Sequence, residues 1–403
     1  MRKRPVHALT CLLALSLTAE AAGQGLPTEP VSLGGGRIVL GAEITATAAP
    51  EDPGFFNYTN YEYSALRNVR VSVGAEVRAH PRLQLLGELR FDQGRVLQPY
   101  GFYARIRPWP AKRFDLQVGR VPPTFGAFAR RGYAADNLLI GVPLAYQYLT
   151  SLRADAVAAN VDELLRMRAR GWLTNFSVGN LAAEQGLPLV NGFRWDTGVQ
   201  AHGVANHIEW TAAVTTGSLS NPRVDDDNRG RQVAGRVAWR PVPSVVAGLS
   251  VARGAFLNRR LARAITGITV EDMTQRALGA DVEYSVGRAL IRSEWIRSRW
   301  SLPAVEAPAL DEPLDATSLL VEGRYRFWPG VYAAARAERL GFSAVTGTTQ
   351  RLEWDAPVVR YEVGIGWSVT RNVVLKSSWQ RNERDGGRVR HESLGAVQLL
   401  YWF

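Results

Sequence analysis

Apolar and polar side chains alternate with a period of two along most of this chain beyond residue 36. Such alternation marks a β-strand whose two faces meet different surroundings. Sixteen segments show it: 36–48, 68–79, 82–92, 98–108, 113–121, 192–203, 206–217, 231–241, 244–255, 276–286, 288–300, 317–328, 330–341, 357–369, 371–382 and 393–403. In 357–367, Val359, Tyr361, Val363, Ile365 and Trp367 point one way, while Arg360, Glu362, Gly364 and Gly366 point the other. In 319–327, Leu319, Val321, Tyr325 and Phe327 oppose Glu322, Arg324 and Arg326. The pattern predicts an all-β chain with one apolar and one charged face throughout.

The connections narrow this further. Short turns such as His80-Pro81, Pro241-Val242-Pro243, Gly287 and Pro329 alternate with longer polar segments at 49–67, 122–191, 218–230, 256–275, 301–316, 342–356 and 383–392. Only the connection at 93–97 is short where a long one is due. A transmembrane barrel has short periplasmic turns and longer external loops, and a soluble sandwich has no reason for the asymmetry. An apolar face is costly in water and a charged face is costly in lipid, so a barrel with a wet interior satisfies both. The expectation is a transmembrane antiparallel β-barrel of about sixteen strands over 36–403. Trp239, Tyr284, Phe327, Trp367 and Phe403 fall near the turns on the apolar face, as an interfacial girdle requires.

The N-terminus reads as an export signal over 1–21. Arg2, Lys3 and Arg4 precede an apolar run from Ala8 to Thr18, and Ala19-Glu20-Ala21 offers a small-x-small cleavage site. Residues 22–35 then form a periplasmic N-terminal segment. No run of 18 apolar residues occurs, so a helical membrane protein is excluded. The single cysteine, Cys11, lies in the signal, which removes disulfides and cysteine metal sites from the exported chain. The whole sequence carries +11, and taking away three cations and one acid with the signal leaves +9. Export argues against nucleic acid, so the charge points to a surface or lumen that attracts anions.

The last strand, from Gly395 to Phe403, resembles the C-terminal signature of bacterial outer-membrane β-barrels, and Phe403 is the expected assembly signal. The 122–191 connection is the third external loop, and a connection of that length is usually functional. Its approach, Gly119-Arg120-Val121-Pro122-Pro123-Thr124-Phe125-Gly126, resembles the strand-to-loop junction of phosphate-selective and general porins. The resemblance implies sixteen strands, a trimer in the outer membrane of a Gram-negative bacterium, and a third loop folded into the pore as a constriction. It departs from the phosphate-selective type, because Lys112 and Lys376 are the only lysines after the signal.

Within this frame the candidate pore-lining residues are Arg105, Arg107, Arg130, Arg131, Arg324, Arg326, Arg336 and Arg360. Arginine binds carboxylate and phosphate in a planar, bidentate way, so a pore lined by it favours anions. Acids interleave with these arginines along the strands, and many of the pairs should form a structural lattice. In the loop, Ala154 to Ala169 could form one short helix, with Asp155, Asp162 and Glu163 available to pair the loop arginines. The expected activity is passive diffusion of small hydrophilic or anionic solutes, with no cofactor. The expected surroundings are outer-membrane lipid and lipopolysaccharide. A barrel hydrolase is the rival class, but His80, His202, His207 and His391 show no paired nucleophile in the sequence. Asp225-Asp226-Asp227-Asn228 reads as a solvated acidic loop rather than a calcium site. A third class is a structural or adhesive barrel that binds a partner through its external loops.

Overall fold

A computed structural model describes residues 27–59, 63–93, 97–109, 113–128, 132–226, 228–265, 267, 269 and 272–403. The expected signal segment lies outside the described residues, as do Arg130 and Arg131.

Sixteen antiparallel strands form one closed barrel. They are β1 Ile38–Ala48, β2 Asn68–His80, β3 Leu83–Asp92, β4 Gln98–Ile106, β5 Phe114–Val121 and β6 Asp196–Ala205. Next come β7 Ile208–Thr215, β8 Gln232–Val242, β9 Val245–Ala255, β10 Thr274–Val286 and β11 Ala289–Trp300. The rest are β12 Leu314–Trp328, β13 Val331–Phe342, β14 Val358–Ser368, β15 Val373–Arg384 and β16 His391–Trp402. Each strand pairs with its neighbours in sequence, and β1 closes the ring on β16 through Glu43↔Trp402 to Ala48↔Val397. Closure leaves no unpaired sheet edge, which a bilayer would penalise heavily.

The faces follow the alternation. Val233, Leu249, Val282, Val321 and Ile365 are exposed on the outside, while Thr211, Arg236, Asp281, Glu322 and Glu362 are buried on the inside. An outer surface this apolar belongs in lipid. Trp239, Tyr284, Phe327 and Trp367 are all exposed outward at the turn end of the barrel.

Two local expectations need correction. β6 begins at Asp196 rather than at residue 192, because the chain before it is still committed to the loop: Gly192 donates to the Tyr146 carbonyl. The helix foreseen across Ala154 to Ala169 is only Val161–Arg166. Asn160 caps it by accepting from the Glu163 amide at 3.0 Å, and the residues before it go instead to a two-residue strand, Ala156–Val157. Ahead of β1, within the expected N-terminal segment, Val31–Leu33 pairs back on Ile38 to Leu40.

The largest apolar cluster sits at the long-loop end. Leu144, Tyr148, Leu152, Leu164 and Phe176 of the 122–191 connection pack there with Phe256, Trp300, Leu314 and Trp354. Phe342 meets Trp354 edge-on at 4.7 Å between ring centroids. The loops over this end therefore share one core rather than extending separately.

Candidate functional site

The porin-like stretch leading into the long connection is built against the inner wall. Gln200 of β6 donates to the Pro122 carbonyl at 2.9 Å and to Thr124 Oγ1 at 2.7 Å. Phe125 is fully buried, and the Gly126 amide donates to Ser250 Oγ of β9 at 3.1 Å. Gly126 has φ +77°, and a Cβ there would overlap the Tyr146 hydroxyl, so both backbone and space demand glycine.

Beyond Gly126 the loop makes a circuit inside the barrel. The Ala127 amide donates to Glu294 of β11 at 2.6 Å. The Tyr133 hydroxyl donates to Glu88 of β3. In a ring of sixteen, β3 and β11 are eight strands apart and face each other across the lumen. The chain then follows the wall. Ala134 and Ala135 amides donate to the two Glu43 oxygens of β1, each at 3.0 Å. Lys376 of β15 donates to the Ala134 and Asn137 carbonyls, each at 2.6 Å. The Gly141 amide donates to Glu362 of β14 at 2.9 Å, and the Leu144 amide to Glu338 of β13 at 2.8 Å. A short helix, Leu144–Gln147, brings Tyr146 back to Glu294. Inward-facing carboxylates thus supply acceptors for loop N–H groups that would otherwise be buried without partners.

The candidate arginines divide into three groups. Arg336 and Arg360 are 2% and 0% exposed and are occupied with the loop. Arg336 donates to the Gly141 carbonyl at 2.7 Å and to Glu322 at 2.9 Å. Arg360 donates to the carbonyls of Val142 at 3.1 Å and Phe56 at 2.8 Å. Arg105, Arg107, Arg324 and Arg326 lie at the turn end, on β4 and β12 or just beyond. β4 and β12 are again eight strands apart, so the two pairs sit on opposite walls. Among the described residues none of these four forms an ion pair: Arg105 meets the neutral Gln84 and Tyr103, and Arg324 lies over the Tyr332 ring. The third group, Arg130 and Arg131, lies outside the described residues; in sequence it falls between Ala127 and Tyr133.

Elsewhere the expected lattice is present. Arg70 pairs with Asp92 at 2.7 Å, Arg90 with Glu88 at 3.1 Å, and Arg292 with Glu283 at 2.9 Å. In the outer part of the loop Arg153 is fully buried and pairs with Asp155 at 2.8 Å. Asp162 instead accepts from Thr348, and Glu163 from Ala159 and Ser177. Burial tends to raise the Asp155 carboxyl, but hydrogen bonds from Arg153 and Asn180 outweigh it and hold the group below the usual range. His202 lies 3.9 Å from Asp115 and 3.4 Å from Glu209, between two carboxylates and not beside a nucleophile that it could activate. Sequence reasoning missed the loop-holding roles of Glu43, Glu294, Glu338 and Lys376; they carried only the signal of facing inward.

A cavity of about 370 Å³ is lined by Glu43, Ser72, Glu76, Glu88, Tyr103 and Tyr133, between the loop and the β1–β4 wall.

No family model matches this sequence, and no curated protein matches it either. Solved structures do match. Salmonella typhi OmpF in complex with daunomycin is 12% identical, with a TM-score of 0.56 over 91% of this chain and 97% of that one. In-vitro folded OmpT of Vibrio cholerae, in its trimer form, is 10% identical with a TM-score of 0.51 over 91% and 99%. An anion-selective porin from Comamonas acidovorans is 10% identical with a TM-score of 0.50 over 91% and 99%. At these identities the likeness concerns architecture, and it agrees with the strand order and ring closure above: this chain has the closed sixteen-stranded antiparallel fold of bacterial outer-membrane porins.

Proposed function

We propose that this chain is a passive diffusion channel of the bacterial outer membrane for small hydrophilic solutes, with a preference for anions. The observation that carries this reading is the pairing of a lipid-compatible outer wall with a polar lumen to which Gly126, Ala127, Gly141 and Tyr146 are hydrogen-bonded. A segment fixed at that depth narrows the passage, and the 122–191 connection is then its constriction loop. The two arginine pairs on β4 and β12 place unpaired cations on opposite sides of the turn-end opening, where they raise the local concentration of anions. Arg130 and Arg131 add to that field from the loop. Residues 1–21 act as the export signal and are removed. Catalysis plays no part.

The functional unit is a trimer. Its support is the outer face of β1–β3, where Ile44, Val69, Val73, Leu85 and Leu89 are exposed without an intervening charge. A face of that kind suits subunit contact as well as lipid.

The test is conductance in planar bilayers. Purified protein should open ohmic channels whose zero-current potential in a salt gradient indicates anion preference. Changing Arg105, Arg107, Arg324 and Arg326 together to Glu should move that potential toward cations, less so at high salt, where charges are screened. Absence of channels from correctly folded protein would overturn the reading. An unmoved potential would overturn the anion preference alone.

A further inference from the structure

One stretch of the inner wall carries almost no side chains. Across β1–β4 the inward positions at one height are Gly41, Gly74, Glu88 and Gly101, each directly opposite the next. Packing requires Gly101, because a Cβ there would overlap the Trp195 indole. It does not require Gly74, where a Cβ meets nothing closer than 3.9 Å. Glycine weakens a strand interior and often marks a place where another group approaches the backbone closely. What Gly74 leaves is room. The four residues line the cavity of about 370 Å³ beside Tyr133 of the loop, and small-molecule sites run from roughly 300 to 1,000 Å³.

An aromatic face bounds this space. The pairing of β3 with β4 shifts register, so that Glu88 is opposite Gly101 but Leu89 is opposite Pro99. Tyr100 is the extra residue, and it is buried inside together with Gly101 and Tyr103. A bulge re-aims a side chain in this way. The Arg90 guanidinium lies 3.4 Å from the Tyr100 ring centroid. The Tyr100 ring lies 5.1 Å from that of Trp195, which lies 6.3 Å from that of Tyr103. Trp195 is thus braced by Gly101 and Tyr100 and stays half-buried at the cavity wall.

The polar groups around it are already matched in charge. Glu88 pairs with Arg90 at 3.1 Å and Glu76 with Arg78 at 2.7 Å, while Glu43 accepts the Ala134 and Ala135 amides. Among the described residues that line the cavity there is no cation to receive an anion. Uncharged capacity is left over. Among the described residues the Tyr103 hydroxyl accepts from Arg105 at 3.4 Å and donates to nothing, the Trp195 indole N–H has no acceptor, and Glu76 Oε2 has no donor. A neutral ring that carries hydroxyls fits an apolar face flanked by two donors and an acceptor.

We propose that this cavity is a binding subsite for a neutral pyranose sugar, stacked against Trp195 and Tyr103, with its hydroxyls bonded to Tyr103, the indole N–H and Glu76. The subsite deepens the channel reading, on which it rests for the sugar's route of entry, by adding a solute class that the arginine field would not select.

Binding and conduction are read separately. Saturation-transfer NMR on folded full-length protein, in a detergent without sugar headgroups, should show saturable transfer to the ring C–H protons of glucose. Trp195→Ala should weaken glucose binding about ten-fold, and Tyr103→Phe by less. Gly74→Leu, for which the wall has space, should fill the cavity and abolish the transfer; it serves also if Trp195→Ala does not fold. In planar bilayers glucose should lower the wild-type ionic conductance saturably, and glycerol at equal concentration should not. Protein that conducts but binds no glucose would overturn the subsite alone, whereas protein that binds glucose but does not conduct would overturn the channel reading alone. Glucose binding left unchanged by both Trp195→Ala and Gly74→Leu would overturn the subsite. So would tighter binding of gluconate, an open-chain anion, which would place the solute on the arginines.

Discussion

Glu294 Oε1 accepts the Tyr146 hydroxyl at 2.7 Å, and the same oxygen accepts the Ala127 amide at 2.6 Å. One carboxylate of β11 therefore holds both the point where the loop leaves that wall and the point where it returns. Glu294→Ala should leave a buried hydroxyl and a buried amide without their acceptor, at a local cost of about 1–3 kcal/mol. Single-channel recordings should show higher and noisier conductance. Tyr146→Phe removes only one of the two bonds and should do less. A Glu294→Ala channel with wild-type conductance would mean that the loop position is held elsewhere.

Gly248 lies between Arg236 and Asp281, whose side chains pair across it with Nη2–Oδ2 at 2.7 Å. A Cβ at residue 248 would overlap both partners. Gly248→Ala should push this buried pair apart and cost about 1–3 kcal/mol. Gly395, on the outer face of β16, has nothing within 4 Å of a built Cβ, so Gly395→Ala serves as the neutral control. The temperature at which folded protein converts to the slow-migrating form in detergent gels should fall for the first variant and stay fixed for the second.

The wall of this barrel was legible in the sequence because every strand faces two solvents. Val359, Tyr361 and Val363 must be apolar and Arg360 and Glu362 polar, and a slip of one residue would reverse both. The interior of 122–191 was not legible. Leu144, Tyr148 and Leu152 are held by Phe256, Trp300 and Trp354, contacts far away in sequence that no local period reveals. The arginines show the same limit. Arg324 and Arg336 both face inward, yet one lies toward the open turn end and the other is covered by Asn137 and Gly141. Alternation gives the face of a residue; how deep the loop reaches decides what that residue touches.

Phe403 closes the seam. Its amide donates to the Ala42 carbonyl and its carbonyl accepts the Ala42 amide, both at 3.1 Å, while its ring lies 6.0 Å from that of Tyr401. Deleting Phe403 should remove this final pair where β1 meets β16, together with an aromatic of the turn-end girdle. The yield of heat-modifiable protein in the outer membrane should drop several-fold relative to wild type. If Phe403→Tyr restores the yield and Phe403→Asp does not, the aromatic ring matters in addition to the backbone pair. Full yield after deletion would show that the other β1–β16 pairs suffice.

Asp155 gives the outer part of the loop an acid limit. It receives Arg153 Nε at 2.9 Å, Arg153 Nη2 at 2.8 Å and Asn180 Nδ2 at 2.7 Å. Burial opposes its ionisation, but these bonds dominate and keep its carboxyl below the usual aspartate value. A carboxyl lowered in the folded state binds fewer protons there than in the unfolded chain. Its contribution is therefore fully present above the unfolded value of about 3.9 and is lost as pH falls through the lower folded value. Arg153 also holds the Thr174 and Ala182 carbonyls, so protonating Asp155 loosens the contact between two parts of the loop. Protease cleavage near residues 175–185 should be slow at neutral pH and should increase only in strongly acidic buffer, tested with an acid-active protease. Asp155→Asn should be cleaved faster at neutral pH and lose the acid step. A variant that keeps the wild-type acid step would assign it to another carboxyl whose ionised form is held by the fold.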